Sequence, residues 1–182
     1  MPQVHPMSVM RDPEPVIEPA EFRHALGCFA TGVAVVTTLG DRAAPVSMTI
    51  NSFNSVSLTP PLILWSLARS AQSFAAFCEH GGFAINVLAD DQLEFCKQFA
   101  RPSSNKFAGI RYRRGYMGVP LIKGAAARLE CRAYARYPGG DYQIHVGEVV
   151  SISASEKPPL VFHRGQFTTL PGNAGQAENL HR

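Results

Sequence analysis

Apolar and β-branched residues recur along this chain in short runs, separated by proline, glycine and polar turns. Pro19 suits the first turn of a helix. Phe22, Leu26 and Phe29 then fall at i, i+4 and i+7 and make one apolar stripe, and Gly32 ends the helix. Residues 33–38 (VAVVTT) read as a buried strand; Gly40 and Asp41 turn the chain, and residues 44–49 return as its partner. Residues 52–58 alternate, with Phe53, Ser55 and Ser57 on one side and Asn54, Val56 and Leu58 on the other. Pro60 and Pro61 stop that strand, and residues 62–67 (LILWSL) form the next. A polar joint, residues 69–73, leads into a short helix carrying Phe74, Phe77 and Cys78 on one face, ended by Gly81 and Gly82. Residues 83–88 predict a strand, and Asp90 or Asp91 caps a helix that turns Leu93, Cys96 and Phe99 inward.

The stretch 101–124 is basic and contains glycine, and it reads as a long surface loop with little regular structure. Residues 128–137 carry the cleanest alternation: Leu129, Cys131, Ala133 and Ala135 face one way, Arg128, Glu130, Arg132 and Arg136 the other. Beyond the PGGD turn, Ile144, Val146, Val150 and Ile152 mark the apolar face of a last long strand. Glu148 shares that face and is expected in an ion pair with an arginine, while His145 goes with Gln143 to the solvated side. About seven strands with three short helices fit a β-barrel with helical caps better than a βαβ sheet.

Length and composition agree. The 182 residues suffice for one core and are few for two, and 14 prolines with 15 glycines argue against a long-helix bundle. Five of the prolines lie in residues 1–19, which reads as a mobile arm; residues 20–170 form the domain and 171–182 a disordered tail. No run approaches the roughly 20 apolar residues of a membrane span, and the arm lacks the apolar segment of a secretion signal. The four cysteines (28, 78, 96 and 131) form no CxxC pair and read as packed, reduced thiols, which places the chain in the cytoplasm.

The net charge of +3 hides an uneven distribution, because residues 101–136 hold nine bases against the single acid Glu130, or +8. Such a zone attracts any phosphate field, whether nucleic acid, anionic membrane or phosphorylated small molecule. Aromatic residues are sparse within it and no RNA-binding motif accompanies them, so a nucleic-acid module ranks far behind.

The glycine spacing contains no GxGxxG, GK[ST] or GxSxG, and the six histidines form no HExxH. The polar stretch 47–57 (SMTINSFNSVS) sits between two strands. It suits a ligand received by backbone amides and short hydroxyls, and equally a Ser/Thr-rich edge strand with one solvated face. Arg69 and Ser70, before a helix, form a possible phosphate grip, and Lys106 a possible cation over a ligand.

Taken in order, TGVAVVT, SMTINSFNSVSLTPPL, SLARSAQSF, FAINVLADDQ, QFARPSSNKFAG, LECRAYARYPGGDYQIHVGEV and PPLVFHRGQFTTL resemble the short-chain flavin reductases that supply reduced flavin to two-component monooxygenases. The match runs from about Phe22 to Leu170. The resemblance implies a mainly β fold with short helices, an FMN-binding split β-barrel that is homodimeric, with FMN or FAD at the subunit interface and NADH or NADPH as donor. Its implied cofactor-binding residues are Met48, Thr49, Ile50, Asn51, Ser52 and Ser55 along the ring and ribityl chain. Ser66, Leu67, Ala68, Arg69, Ser70, Ser73, Lys106 and Phe107 follow near the phosphate or ring edge. Two positions depart from the family pattern: Asn105 stands where Asp usually precedes the Lys-Phe pair, and Tyr142 where a nicotinamide-associated histidine is usual.

Hydride transfer between nicotinamide and flavin needs no acid, base, nucleophile or metal from the protein, so no catalytic residue is assigned. Tyr142 is a candidate wall for the nicotinamide. The resemblance further implies a flavin-dependent monooxygenase as partner, with neither nucleic acid nor membrane, and places the basic zone beside the flavin phosphate and the nucleotide entrance. A non-catalytic flavin-binding or flavin-storage protein on the same fold is the alternative.

Overall fold

The computed structural model describes residues 16–103 and 105–170. In chain order it contains helix α1 (Pro19–Gly27) and strands β1 (Thr31–Gly32), β2 (Ala34–Leu39), β3 (Pro45–Ile50), β4 (Asn54–Leu58) and β5 (Pro61–Ala68). Helix α2 (Phe74–Glu79), strand β6 (Gly82–Val87) and helix α3 (Leu93–Ala100) follow, and then β7 (Tyr112–Arg114) and β8 (Pro120–Ile122). The long strands β9 (Ala127–Gly139) and β10 (Tyr142–Ala154) precede a final hairpin of β11 (Leu160–His163) and β12 (Gln166–Thr169).

The fold is mainly β. Seven strands form one sheet in the order β3-β2-β6-β9-β10-β5-β4, with every neighbour antiparallel. Its two edge strands, β3 and β4, are consecutive in the chain, and residues 51–53 between them reach about 15 Å at most. Seven flat strands would hold those edges about 29 Å apart, so the sheet is strongly curled.

Curling explains why all six residues of β2 are buried. Ala34 and Val36 enter one cluster with Ile50, Ile63, Trp65, Leu67, Phe77, Phe83, Ile85 and Cys131. Val35, on the opposite face, joins Val33, Leu88, Cys96, Phe99, Ile110, Ile122 and Leu160. A strand covered on both faces reads as an unbroken apolar run, which is what VAVV is.

Residues 101–124, expected to be a loop, contain the β7–β8 hairpin, fastened to the sheet by buried polar groups. Asn86 is fully buried; its amide donates to Val35 O at 3.0 Å and Thr37 Oγ1 at 3.2 Å, and its Oδ1 accepts the Ile122 N–H at 2.8 Å. Glu130 accepts the Tyr116 N–H and faces Arg113 Nη2 at 3.6 Å. Gly115 is required beneath this lid, since a Cβ there would meet Glu130 Oε2 and Leu121 Cδ1.

Three further expectations change. Helix α1 ends at Gly27 rather than Gly32, and its stripe stays outside the protomer's core: Phe22, Leu26 and Phe29 are 55%, 57% and 76% exposed, and Cys28 is exposed too. In β10 the expected faces hold only in part, Val146 being buried as expected. His145 is buried in register with Trp65, whereas Val150 and Ile152 are exposed, and the register shifts at 146/147 and 149/151. Glu148 does pair with Arg132, at 2.8 Å. The expected arm falls largely, and the tail wholly, outside the described residues.

Candidate functional site

The site forms along the free edge of β3. The Gly40 N–H donates to Ala44 O at 2.9 Å across the turn, so the next register position, Pro45 opposite Leu39, is a non-hydrogen-bonded one and needs no N–H. Alternation along an antiparallel pair then makes Ser47, opposite Thr37, and Thr49, opposite Val35, non-bonded as well, with their N–H and C=O groups turned off the sheet. Among the described residues nothing else pairs with them. The hydroxyls of both residues are buried without a hydrogen-bond partner.

Four cavities surround this edge. One of about 540 Å³ is lined by Ser47, Met48, Ser73 and Lys106, with Gln72 and Ser103 adding polar groups and Val46, Ala71 and Ala100 apolar ones. The Ser73 hydroxyl is also buried and unpartnered. Lys106 donates from Nζ to Phe99 O at 2.9 Å, and burial pushes its ammonium down from the usual lysine range. No carboxylate lines this cavity, so its one ionisable side chain favours an anion.

A second cavity, about 220 Å³, lies farther along β3 between Thr49, Ile50, Asn51, Cys96, Phe162 and Phe167. Asn51 also lines a larger space of about 670 Å³ with Phe29, Thr31, Ser52 and Phe53, and a smaller one of about 390 Å³ with Arg23 and Leu26. Asn51 therefore stands at the junction of three cavities walled by aromatic side chains.

The residues singled out in the sequence divide accordingly. Met48, Thr49, Ile50, Asn51, Ser52, Ser73 and Lys106 line cavities. Ser52 Oγ accepts the Ser66 N–H at 3.1 Å and so ties the β3–β4 link to β5. Leu67 is 1% exposed within the core. Phe107 packs edge-on against Phe99 and Tyr112, with centroids 5.1 and 5.3 Å apart. Ser55 and Ser70 are exposed and border none of these four cavities.

Ala68, Arg69 and Tyr142 gather at the far end of β5. Tyr142 lies opposite Ala68, and Arg69 bonds the β9–β10 turn through its N–H to Asp141 O at 2.9 Å and its Nε to Gly140 O at 3.3 Å. Ser47 entered only as part of the polar stretch 47–57 and not among the implied cofactor-binding residues, and Thr31 was not singled out.

Most of the basic zone lies away from these four cavities. Of its nine bases only Lys106 lines one of these cavities. Arg128 donates to Ile122 O at 2.7 Å, Arg136 to Phe77 O at 3.3 Å, and Arg113 and Arg132 face Glu130 and Glu148. They fasten the hairpin and the long strands. Among the described residues there is no cluster of three metal-ligating side chains, and no helix is long and apolar enough to cross a membrane.

An open strand edge that leads from a cation-bearing cavity to an aromatic one suits an elongated ligand, anionic at one end and planar at the other. The protein belongs to the flavin reductase-like domain family, whose model matches residues 26–171.

Relatives agree along most of the chain. It is 45% identical over 146 residues to the NADH-dependent FMN reductase SmoA of Agrobacterium fabrum, covering 80% of this chain and 83% of the relative. It is 39% identical over 155 residues to HsaB, the reductase subunit of a flavin-dependent monooxygenase in Rhodococcus jostii, covering 85% and 79%. Among solved structures, the NADH:FAD oxidoreductase SgcE6 of Streptomyces globisporus, in complex with NAD and FAD fragments, superposes with a TM-score of 0.82. The identity is 35%, over 89% of this chain and 100% of that one.

Proposed function

We propose that this protein is an NAD(P)H-dependent flavin reductase that transfers hydride to FMN or FAD and supplies reduced flavin to a flavin-dependent monooxygenase. The observation that carries the reading is the free β3 edge. It holds four backbone groups and two buried hydroxyls without partners, and each such group costs about 1–3 kcal/mol when desolvated and unpaired. A ligand lying along the edge relieves that cost. The run from Ser47 to Asn51, four residues or about 14 Å of strand, matches a molecule with a phosphate at the Lys106 end and a ring at the Asn51 end.

Flavin and nicotinamide supply the hydride chemistry when bound. The chain's own contribution is positional. Thr49 and Asn51 offer hydrogen bonds to a ring edge, Ser73 and Lys106 offer donors to an anion, and the aromatic walls exclude water. Tyr142, at the β5–β10 end, is the proposed nicotinamide wall, and Arg69 stands beside it, tied to the β9–β10 turn.

The sheet is proposed to close as a split barrel, open between β3 and β4, in a homodimer whose second copy covers the exposed stripe of α1. Four free cysteines fit a reducing, cytoplasmic compartment. The test is spectrophotometric: NADH or NADPH oxidation followed at 340 nm is expected to depend on added FMN or FAD. No oxidation of either nucleotide with either flavin would overturn the reading.

A further inference from the structure

We infer that the Ser47 hydroxyl is a phosphoryl-reading group, and that with Ser73 it makes the protein favour phosphorylated flavin over riboflavin. The inference rests on the flavin site proposed above and extends it by a residue and a specificity.

Ser47 is 3% exposed, and its Oγ has no hydrogen-bond partner. Of the strand's row of small polar side chains, it is the one that opens into the cavity shared with Ser73 and Lys106. A solvated serine needs no explanation, but here two hydroxyls are buried in one cavity with neither protein partner nor free access to water. A strand of this kind has no structural need for a hydroxyl at position 47. Alanine would fill the same place at no desolvation cost, so the hydroxyl earns its place only by what it donates to a ligand.

The ligand's chemistry follows from the neighbours. The cavity holds an ammonium, two unpartnered hydroxyls, an amide at Gln72 and the Ser103 hydroxyl, and no carboxylate. Such a set is rich in donors and positive, and a phosphoryl group, with several acceptor oxygens and negative charge, satisfies all of it at once. The ring-binding end of the edge differs: the cavity around Thr49 and Asn51 has aromatic walls and no charged side chain. The phosphoryl group could belong to the flavin or to the pyridine nucleotide. The Ser47 row leads directly to the ring-binding end, so the structure favours the flavin's.

Flavin-fluorescence titrations test this with FMN and riboflavin as separate ligands, and quenching of the single tryptophan with NADH as the third. Wild type is expected to bind FMN more tightly than riboflavin. Ser47→Ala and Ser73→Ala should each raise the FMN Kd about ten- to hundredfold, the size of one hydrogen bond to a charged group, and leave the riboflavin and NADH Kd values within about twofold. Asn51→Ala should weaken FMN and riboflavin alike. Thermal melting supplies a readout that ligand binding does not enter: without flavin, Ser47→Ala should melt at or above the wild-type temperature, because it removes an unpaired buried hydroxyl.

Equal weakening of riboflavin by Ser47→Ala, an unchanged FMN Kd, or an effect on NADH alone would each overturn the assignment. Failure of wild type to bind any flavin would instead remove the flavin reading itself.

Discussion

The imidazole of His145 lies on the indole of Trp65, with ring centroids 4.7 Å apart and planes 26° apart. The two residues are register partners across β10 and β5 and are 3% and 0% exposed. Phe77 and Phe83 meet the same indole edge-on, so the imidazole is sealed into an apolar cluster with its Nε2 unpartnered.

Burial, helped by the Arg136 guanidinium, pushes His145 down to about 4. The unfolded chain binds the proton near pH 6.5, so this group favours the folded state fully above that pH. The contribution is lost as pH falls from about 6.5 towards 4, and amounts to about 3 kcal/mol. Urea denaturation at pH 7.5 and pH 5 should show the loss in wild type, and His145→Phe should abolish most of the difference between the two pH values.

Asn86 fastens β8 to the sheet with three hydrogen bonds. Asn86→Ala leaves the Ile122 N–H unpaired in the core, and a loss of about 2–4 kcal/mol is expected in chemical denaturation. Hydrogen exchange should localise the damage, with the Ile122 amide losing protection while those of β5 keep theirs.

Gly115→Ala puts a methyl group against Glu130 Oε2 and Leu121, beneath the hairpin that the same carboxylate holds. The expected cost is about 2–3 kcal/mol, seen as a lower thermal midpoint. An unchanged midpoint would mean that the hairpin moves aside freely.

Lys106 has two tasks, closing the end of α3 through Phe99 O and facing the 540 Å³ cavity. Lys106→Met should raise the KM for FMN about tenfold and change kcat little, because a binding charge is removed and no chemical group. Raising the ionic strength should weaken FMN binding in wild type more than in the variant.

Leu26 lies in the exposed stripe of α1. In sedimentation velocity, wild type is expected as a dimer, and Leu26→Asp should shift the population towards monomer by placing a charge in a contact that excludes water. A monomeric wild type would refute the proposed covering of that stripe.

Strand positions were legible wherever one pattern dominated. Pro45, Pro60 and Pro61 and the unbroken run of β2 placed the first half of the sheet within a residue or two. The phase of β10 was not legible, because apolar residues occupy both of its faces. Ile144 and Val146 alternate as well as His145 and Val149 would, and a shift of one residue sends every side chain to the opposite face. Two irregularities in its pairing with β9 add to the difficulty.

The β7–β8 hairpin escaped notice since Tyr112, Arg113 and Arg114 are all exposed and show no apolar alternation. What holds it is polar and distant in sequence. In the site, alternation along β3 marked the polar row. The enclosure of Ser47 and Ser73 depends on α2 and the loop near Lys106 converging from elsewhere in the chain, which no local pattern records.

The free edge of β3 has one more consequence. An unpaired strand edge is a template on which another chain can add a strand. Pro45 blocks one end of β3, but the groups at Ser47 and Thr49 leave the rest open to such pairing. A flavin bound there, as proposed, would also act as a guard, so that loss of cofactor and loss of colloidal stability would be linked events. Protein stored without flavin would be expected to age by edge-to-edge association at these residues.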